Sequence, residues 1–259
     1  MTPALRPEAL QAIHAPLQHY IEREVGLPVD LVIPRAYGDL VAMLDRKAAD
    51  VAYVNGVEYV IALRHADIAP IAVGLDDLNF TTSFIARASD TTKSLAGFRG
   101  RRLRLGESLS TAGYVMARRF LVSQGLAPES AFADITQSST HEETAEAVRD
   151  GKADLGAVST FALDRIFTRG VVRRDQVRVV WVSPPFPDQF WIARSTLAAP
   201  LRARLVEAFL TLSPLDSVHA GVLRAEGVTG YIPVERQRFY AVEEAVRNAG
   251  VLRRSSGAR

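Results

Sequence analysis

The residues best suited to chemistry lie in one stretch, GESLSTAGY at 106–114. Leu103 and Leu105 mark a strand that ends at Gly106, small polar residues follow, and a helix is predicted from Thr111 to Gln124. The N-terminus of a helix offers backbone N–H groups without intrahelical partners and the positive end of the helix dipole. Ser110 and Thr111 add hydroxyls there, and Ala112 and Gly113 let a ligand approach the backbone. This suits a small tetrahedral oxyanion. It also suits an ordinary N-cap, and spacing alone does not separate the two readings. His141, in SSTHEETAEAV, falls at a second strand-to-helix junction, where side chains gather at the mouth of an α/β sheet. It is placed to donate to an oxyanion or to face solvent from a first turn.

Enzyme chemistry is poorly supplied. GESLS has Ser110 where G-x-S-x-G needs its last glycine. Walker A and G-x-G-x-x-G motifs are absent, and HEETA has Ala145 where H-E-x-x-H has its second histidine. His14 and His19 are five apart and share a helix face badly. A Ser110–His141–Asp154 triad can be drawn, without support from spacing. The chain has no cysteine, which excludes disulfides, thiolate metal sites and a cysteine nucleophile. The expectation is therefore a protein that is not an enzyme, with no catalytic residues, no metal and no cofactor. Lys+Arg number 31 against 29 Asp+Glu, and a net charge of +2 makes no case for nucleic acid. No apolar run is long enough for a membrane span. The opening MTPALRPEAL lacks a basic region followed by an apolar one, so no signal peptide is visible.

The elements that must position these residues alternate. Leu10, Ile13, Leu17, Ile21 and Val25 form one face of a helix that starts at Pro7 and stops at Gly26. Residues 29–33 read as a buried strand, 39–47 as a helix, 50–54 as a strand, 57–63 as a helix and 68–73 as a strand. Beyond the 103–124 segment come a short strand at 133–136, a helix at 142–149, a strand at 154–158 and a helix at 161–167. A strand at 177–182 and a helix at 201–212 follow. Such alternation predicts an α/β fold with mostly parallel sheets. Two polar crossings, NFTTSFIAR at 79–87 and SPPFPDQF at 183–190, read as linkers of a two-lobed chain. Lobe I then comprises 1–82 and 188–259, and lobe II 83–187. The tail from Arg253 is expected to fray.

On these residues the chain resembles the phosphate/phosphite/phosphonate-binding proteins of ABC importers, a branch of the type 2 periplasmic binding proteins. The likeness runs from Pro7 to about Tyr231. It includes ADVAYVNGVEYVIA, SLAGFRGRRLRLGESLSTAGYVMARRFL, THEETAEAVRDGKADLGAVS and VVWVSPPFPDQFWIAR. Its most specific parts are S-T-x-G-Y at 110–114, the His141 segment and SPPFPD at 183–188. The resemblance implies two α/β lobes, each a sheet flanked by helices, joined by two hinge crossings and closing on the ligand. It implies that Ser110, Thr111 and the backbone at Ala112 hold the head group, with His141 beside them. Tyr53 and the 80–83 stretch, Phe80 and Thr81 in particular, match the other wall. Asp188 matches an acid that faces the amine in aminophosphonate binders. The expected role is the solute-binding component of an importer, probing a phosphonate, phosphite, phosphate or related oxyanion, with an ABC permease as partner. A monomer in a periplasmic or extracytoplasmic location is also implied. A ligand-sensing domain of the same fold is the alternative, and a phosphorus-ester enzyme the weaker one.

The departures from the family are informative. Ala112 replaces a third hydroxyl, and Phe80 replaces a phenol. Ser159 and Thr160 stand where aminoalkylphosphonate binders carry a second acid. An ammonium would have one carboxylate partner, which favours an amine-free ligand. Family members also begin with a strand before the segment that matches Pro7, whereas six residues precede it here. A gap in the first lobe's sheet, with unpaired backbone groups beside it, is the expectation. A displaced start would explain it, and would also remove a leader.

Overall fold

The computed structural model describes residues 5–249, apart from 35, 37 and 66; the tail from Arg253 lies outside them. The described chain divides into two compact units: residues up to Asn79 with Pro187–Tyr240, and Phe80–Phe186 with the chain from Ala241.

Unit 1 opens with α1, Pro7–Val25. Pro7 occupies the first turn, where its missing N–H costs nothing, and Gly26 ends the helix at φ 67° with its N–H on the Glu22 carbonyl. Helix α2 (Asp39–Asp45), strand β1 (Val51–Val54), helix α3 (Gly56–His65) and strand β2 (Ile68–Gly74) follow. After the excursion into unit 2 come β8 (Phe190–Arg194), α8 (Ala199–Leu210), α9 (Ser217–Glu226) and β9 (Tyr231–Ile232). The sheet order is β1-β8-β2-β9. Leu17 and Ile21 of α1 and Leu205 and Phe209 of α8 bury one face of it against Trp191 and Tyr231. On another side Tyr59 stacks on Phe190 with centroids 4.6 Å apart.

Unit 2 holds β3 (Thr82–Arg87), β4 (Arg102–Leu105), α4 (Met116–Ser123), α5 (Pro128–Ala131), β5 (Asp134–Gln137), α6 (His141–Arg149), β6 (Leu155–Ser159), α7 (Thr160–Thr168) and β7 (Val177–Val182). Its sheet order is β5-β4-β6-β3-β7. The final helix, α10 (Tyr240–Asn248), belongs to this unit almost entirely, with Val242 and Val246 fully buried.

Four expectations need correction. First, neither sheet is simply parallel. β4 pairs with β5 and β6 in parallel, but β3 pairs antiparallel with β6 and β7, and β8 antiparallel with β1 and β2. β3 and β8 are the strands that follow the two crossings, so they enter each sheet against its run. Second, residues 82–87 are therefore not linker but a buried central strand. Third, the contacts put 80–82 and α10 with unit 2, whereas 1–82 and 188–259 were expected together. The apolar stripe of α10 needs a surface to cover, and Glu244 on α10 pairs with Arg119 on α4 at 2.9 Å.

Fourth, residues 29–33 form no strand. The Val29 N–H donates to Glu22 Oε1 at 3.0 Å, and its carbonyl accepts Gln18 Nε2 at 2.6 Å. Side chains of α1 thus take backbone groups that a sheet neighbour would otherwise satisfy. Among the described residues β1 pairs with β8 alone. A cavity of ≈ 590 Å³ lies there, bordered by Leu17, Ile21, Val29, Leu31, Leu40 and Val51 among others. The β-branched pattern of 29–33 is real, but a strand also needs a ladder partner.

Candidate functional site

In unit 2 the chain leaves β4 at Leu105 and turns through Gly106, whose N–H donates to the Gly113 carbonyl at 2.9 Å. Ser110 caps the next helix: its Oγ accepts the Gly113 N–H at 3.1 Å. The first turn, Thr111–Val115, is a π turn, and the Val115 N–H reaches the Ser110 carbonyl at 3.0 Å. Widened turns of this kind recur at functional sites because they re-aim the first N–H groups. The turn runs on into α4, so its dipole is that of a longer helix. Ser110, Thr111, Ala112 and Tyr114 are all buried. The Ala112 carbonyl is tied down by Thr82 Oγ1 at 2.8 Å, which anchors the turn to β3.

His141 is the first residue of α6, behind the Thr140 cap whose hydroxyl accepts the Glu143 N–H. Its ring lies against the π turn: a Cβ built on Gly113 would stand 3.0 Å from His141 Cε1 and 2.9 Å from Ser110 Oγ. His141 is 4% exposed, and its Nδ1 has no hydrogen-bond partner. Burial pushes its pKa down to about 4, so it is neutral near pH 7. A neutral imidazole carries a single N–H, and the tautomer with the proton on Nδ1 would aim it at a ligand. A buried polar atom left without a partner is rare in a folded protein and calls for an occupant.

Three more hydroxyls meet near the start of α7. Thr81 Oγ1 donates to Thr160 Oγ1 at 2.7 Å, and Ser83 Oγ stands 2.7 Å from the same atom. Phe80 is buried, bridges Phe186 through its backbone, and tilts against the Phe161 ring at 5.9 Å. The drawn triad is not assembled. Asp154 is bonded to Arg102 through both carboxylate oxygens at 2.8 and 3.0 Å, while the Nδ1 of His141 faces no acid.

Of the expected residues, unit 1 carries Tyr53 and Asp188. Tyr53, on β1, donates its hydroxyl to Asp77 Oδ2 at 3.3 Å and stacks on Trp191 at 4.8 Å. Burial and then the neighbouring Asp77 raise its pKa well above the usual phenol value. Asp188 precedes β8 and is buried. Its Oδ1 accepts the Gly56 N–H, at the start of α3, at 2.6 Å and the Gln189 N–H at 3.0 Å. These bonds give it a structural task. Asp188→Ala would leave buried donors unmatched, and a loss of about 1–3 kcal/mol in urea unfolding is expected.

The sequence profile of the family described as the phosphonate periplasmic substrate-binding proteins of ABC transporters matches residues 1–239. The chain belongs to this family. Among its relatives, the phosphate-import protein PhnD of Mycolicibacterium smegmatis is 24% identical over 220 residues, which are 80% of this chain and 68% of that one. The structure of PhnD1 from Prochlorococcus marinus in complex with methylphosphonate superposes with a TM-score of 0.89 at 20% identity, over 96% of both chains. A binding-protein component of a phosphonate ABC transporter from Pseudomonas aeruginosa superposes at 0.85 with 18% identity, over 100% of this chain and 87% of that one. At these identities the structures show the fold, that of a type 2 periplasmic binding protein.

Within this member of the phosphonate-binding family, Asp77 and the bond from Thr82 Oγ1 to the Ala112 carbonyl escaped the sequence reading. Asp77 stands beside Asp76 in a polar turn, and nothing in DDLN marks one aspartate as buried and the other as exposed. Thr82 acts on backbone geometry, which residue type alone does not reveal.

Proposed function

We propose that this chain is the solute-binding component of an importer for a small phosphorus oxyanion without an amine: phosphate, phosphite or methylphosphonate. Ser110, Thr111, the backbone at Ala112 and His141 hold the head group, and Tyr53 serves as a further donor; Phe80 and Thr81 contribute packing and a hydroxyl. The observation that carries this reading is the unpartnered, buried Nδ1 of His141 against the π turn at Gly113. Family membership supports it, and so do a phosphate importer among the relatives and methylphosphonate in the PhnD1 structure.

The site works with neutral donors. Oriented N–H and O–H groups at a helix N-terminus hold an anion without a fixed cation. Specificity against amines follows from what the acceptors already do. Thr160 offers a hydroxyl engaged with Thr81 and Ser83, and Asp188 spends its Oδ1 on two backbone N–H groups. An ammonium would be desolvated with little in return. The partner is an ABC permease, and the place of action is periplasmic or extracytoplasmic, as in the family. Among the described residues no helix is long and apolar enough to cross a membrane.

A thermal-shift panel of phosphate, phosphite, methylphosphonate, 2-aminoethylphosphonate and sulfate tests the reading. A ligand at about 100 times its Kd adds about 2.7 kcal/mol, a rise of a few degrees at this size. Stabilisation by an amine-free phosphorus oxyanion, lost in Thr111→Ala, is the expected result. A cooperative melt that none of them moves would overturn it, and a shift confined to 2-aminoethylphosphonate would overturn the amine-free part.

A further inference from the structure

Every residue that borders the cavity of ≈ 590 Å³ beside β1 belongs to unit 1. Two stretches of backbone line it. The first is β1. The Arg194 N–H donates to the Asp50 carbonyl at 3.1 Å, so Asp50 and Arg194 are a hydrogen-bonded pair of the antiparallel ladder, and the next pair, Val51 and Ala193, is not. Val51 therefore turns its N–H and C=O away from β8, on the edge that the cavity borders. The second stretch is 29–33, of which Val29, Leu31 and Val32 line the cavity. Val29 has its N–H and C=O on Glu22 and Gln18. Leu31 has no such partners. Among the described residues, neither its backbone groups nor the outward pair of Val51 are hydrogen-bonded.

Sheet spacings set the size of what would fit. A strand rises about 3.3 Å per residue, stands about 4.8 Å from its neighbour and fills layers about 10 Å apart, so four residues occupy about 600 Å³. That matches the cavity, and β1 itself has four residues. The lining is apolar on two sides. Leu17 and Ile21 of α1 with Leu205 and Phe209 of α8 line it from the core of unit 1, and Leu40 and Met43 line it from α2, which packs on β1 and α3. Leu27 and Val32, also on its border, are 47% and 49% exposed, large apolar side chains that nothing covers. A small apolar solute would match this lining but leave the backbone groups of Val51 and Leu31 without hydrogen bonds. A strand satisfies both requirements.

We infer that this cavity is an acceptor slot for one added β-strand, an extended segment of a partner polypeptide that pairs with the free backbone groups of Val51 and Leu31. Main-chain bonds to a sheet edge give such augmentation its affinity, and side-chain pockets give it selectivity. The occupant is apolar at consecutive positions rather than at alternate ones. A strand with one face on water alternates, whereas this one lies between α1 and α8 on one side and α2 on the other, so both of its faces are covered.

Titration of the full chain with a fluorescent peptide tests this, with amide hydrogen exchange as the second readout. The peptide carries a run of about four valines and isoleucines between charged flanks that keep it soluble. A control peptide has serine at every second position of the run. The apolar run should bind at least about tenfold more tightly than the control. It should slow exchange of the Val51 and Leu31 amides by about tenfold or more and leave those of β6, in unit 2, unchanged. Val51→Pro removes an N–H that β8 does not use, and proline is tolerated on a strand edge of that kind. The variant should melt near the wild type and bind the peptide about tenfold more weakly. If it does not fold, Leu31→Pro, in a stretch without a ladder, must show the same loss. No binding of the apolar run, equal affinity for the two peptides, binding without protection at Val51 and Leu31, or full affinity in the folded proline variants would overturn the inference. So would a long-chain fatty acid that binds where the peptide does not, since the cavity would then be a small-molecule site.

Discussion

Gly113→Ala is expected to lower anion affinity by about a hundredfold and to cost about 1–3 kcal/mol of stability. Alanine is ordinarily the better helix residue, by about 1 kcal/mol, and Gly113 has no positive φ to forbid it. The cost is steric. The added methyl would lie 2.9 Å from Ser110 Oγ, 3.0 Å from His141 Cε1 and 3.2 Å from Gly106 Cα. Gly106 cannot retreat, because its N–H is bonded to the Gly113 carbonyl. The Ser110 hydroxyl and the His141 ring must move instead, and both are assigned to the ligand. Two displaced hydrogen bonds, each worth about 1–1.5 kcal/mol, account for the hundredfold loss. Gly221 in α9 is the matched control, since a Cβ there meets nothing within 4 Å. Gly221→Ala should leave binding unchanged and raise the melting point slightly. Equal affinities for phosphate or methylphosphonate in Gly113→Ala and the wild type would remove the π turn from the binding site.

That contrast between two glycines shows what a sequence conveys and what it withholds. The helix at Thr111, the strand before it and His141 at the start of α6 were legible, because apolar periodicity and caps are local signals. Gly113 is indispensable for a reason that lies 28 positions away in sequence, the distance to His141. The same limit explains β3. Its residues, TSFIAR, follow Asn79, Phe80 and Thr81 and look like a crossing, yet pairing between β6 and β7 makes it an interior strand. Residues 29–33 show the reverse case, with good strand chemistry and no ladder partner among the described residues. Tertiary partners decided each of these, including the allegiance of α10, whose apolar stripe says that it packs but not on which unit.

The partnerless environment of His141 leads to the second large effect, an acid-sensitive stability with a sign that can be worked out. The folded-state pKa is about 4, against 6.5 for the free side chain, and the cause is burial. The unfolded chain therefore binds a proton between these values that the folded chain refuses. The stability contributed by the neutral ring is fully present above pH 6.5 and is lost progressively as the pH falls towards 4. At 1.36 kcal/mol per unit the full loss is about 3 kcal/mol. Carboxylates held low by arginines, such as Asp154 beside Arg102 and Glu129 beside Arg118, add their own losses in acid, so the measured quantity must be a difference. His141→Gln removes the titration and keeps an N–H donor. Urea unfolding of the two proteins should diverge from near pH 6.5 downward, with the wild type losing more. An anion at Nδ1 favours the imidazolium form. Saturating phosphate should therefore shrink the wild-type loss and leave His141→Gln with a constant gain. His141→Phe, which keeps the apolar volume without a donor, should hold its stability in acid but lose affinity by about tenfold or more. Parallel stability curves for wild type and His141→Gln across this range would mean that the ring is solvated and that its Nδ1 awaits no ligand.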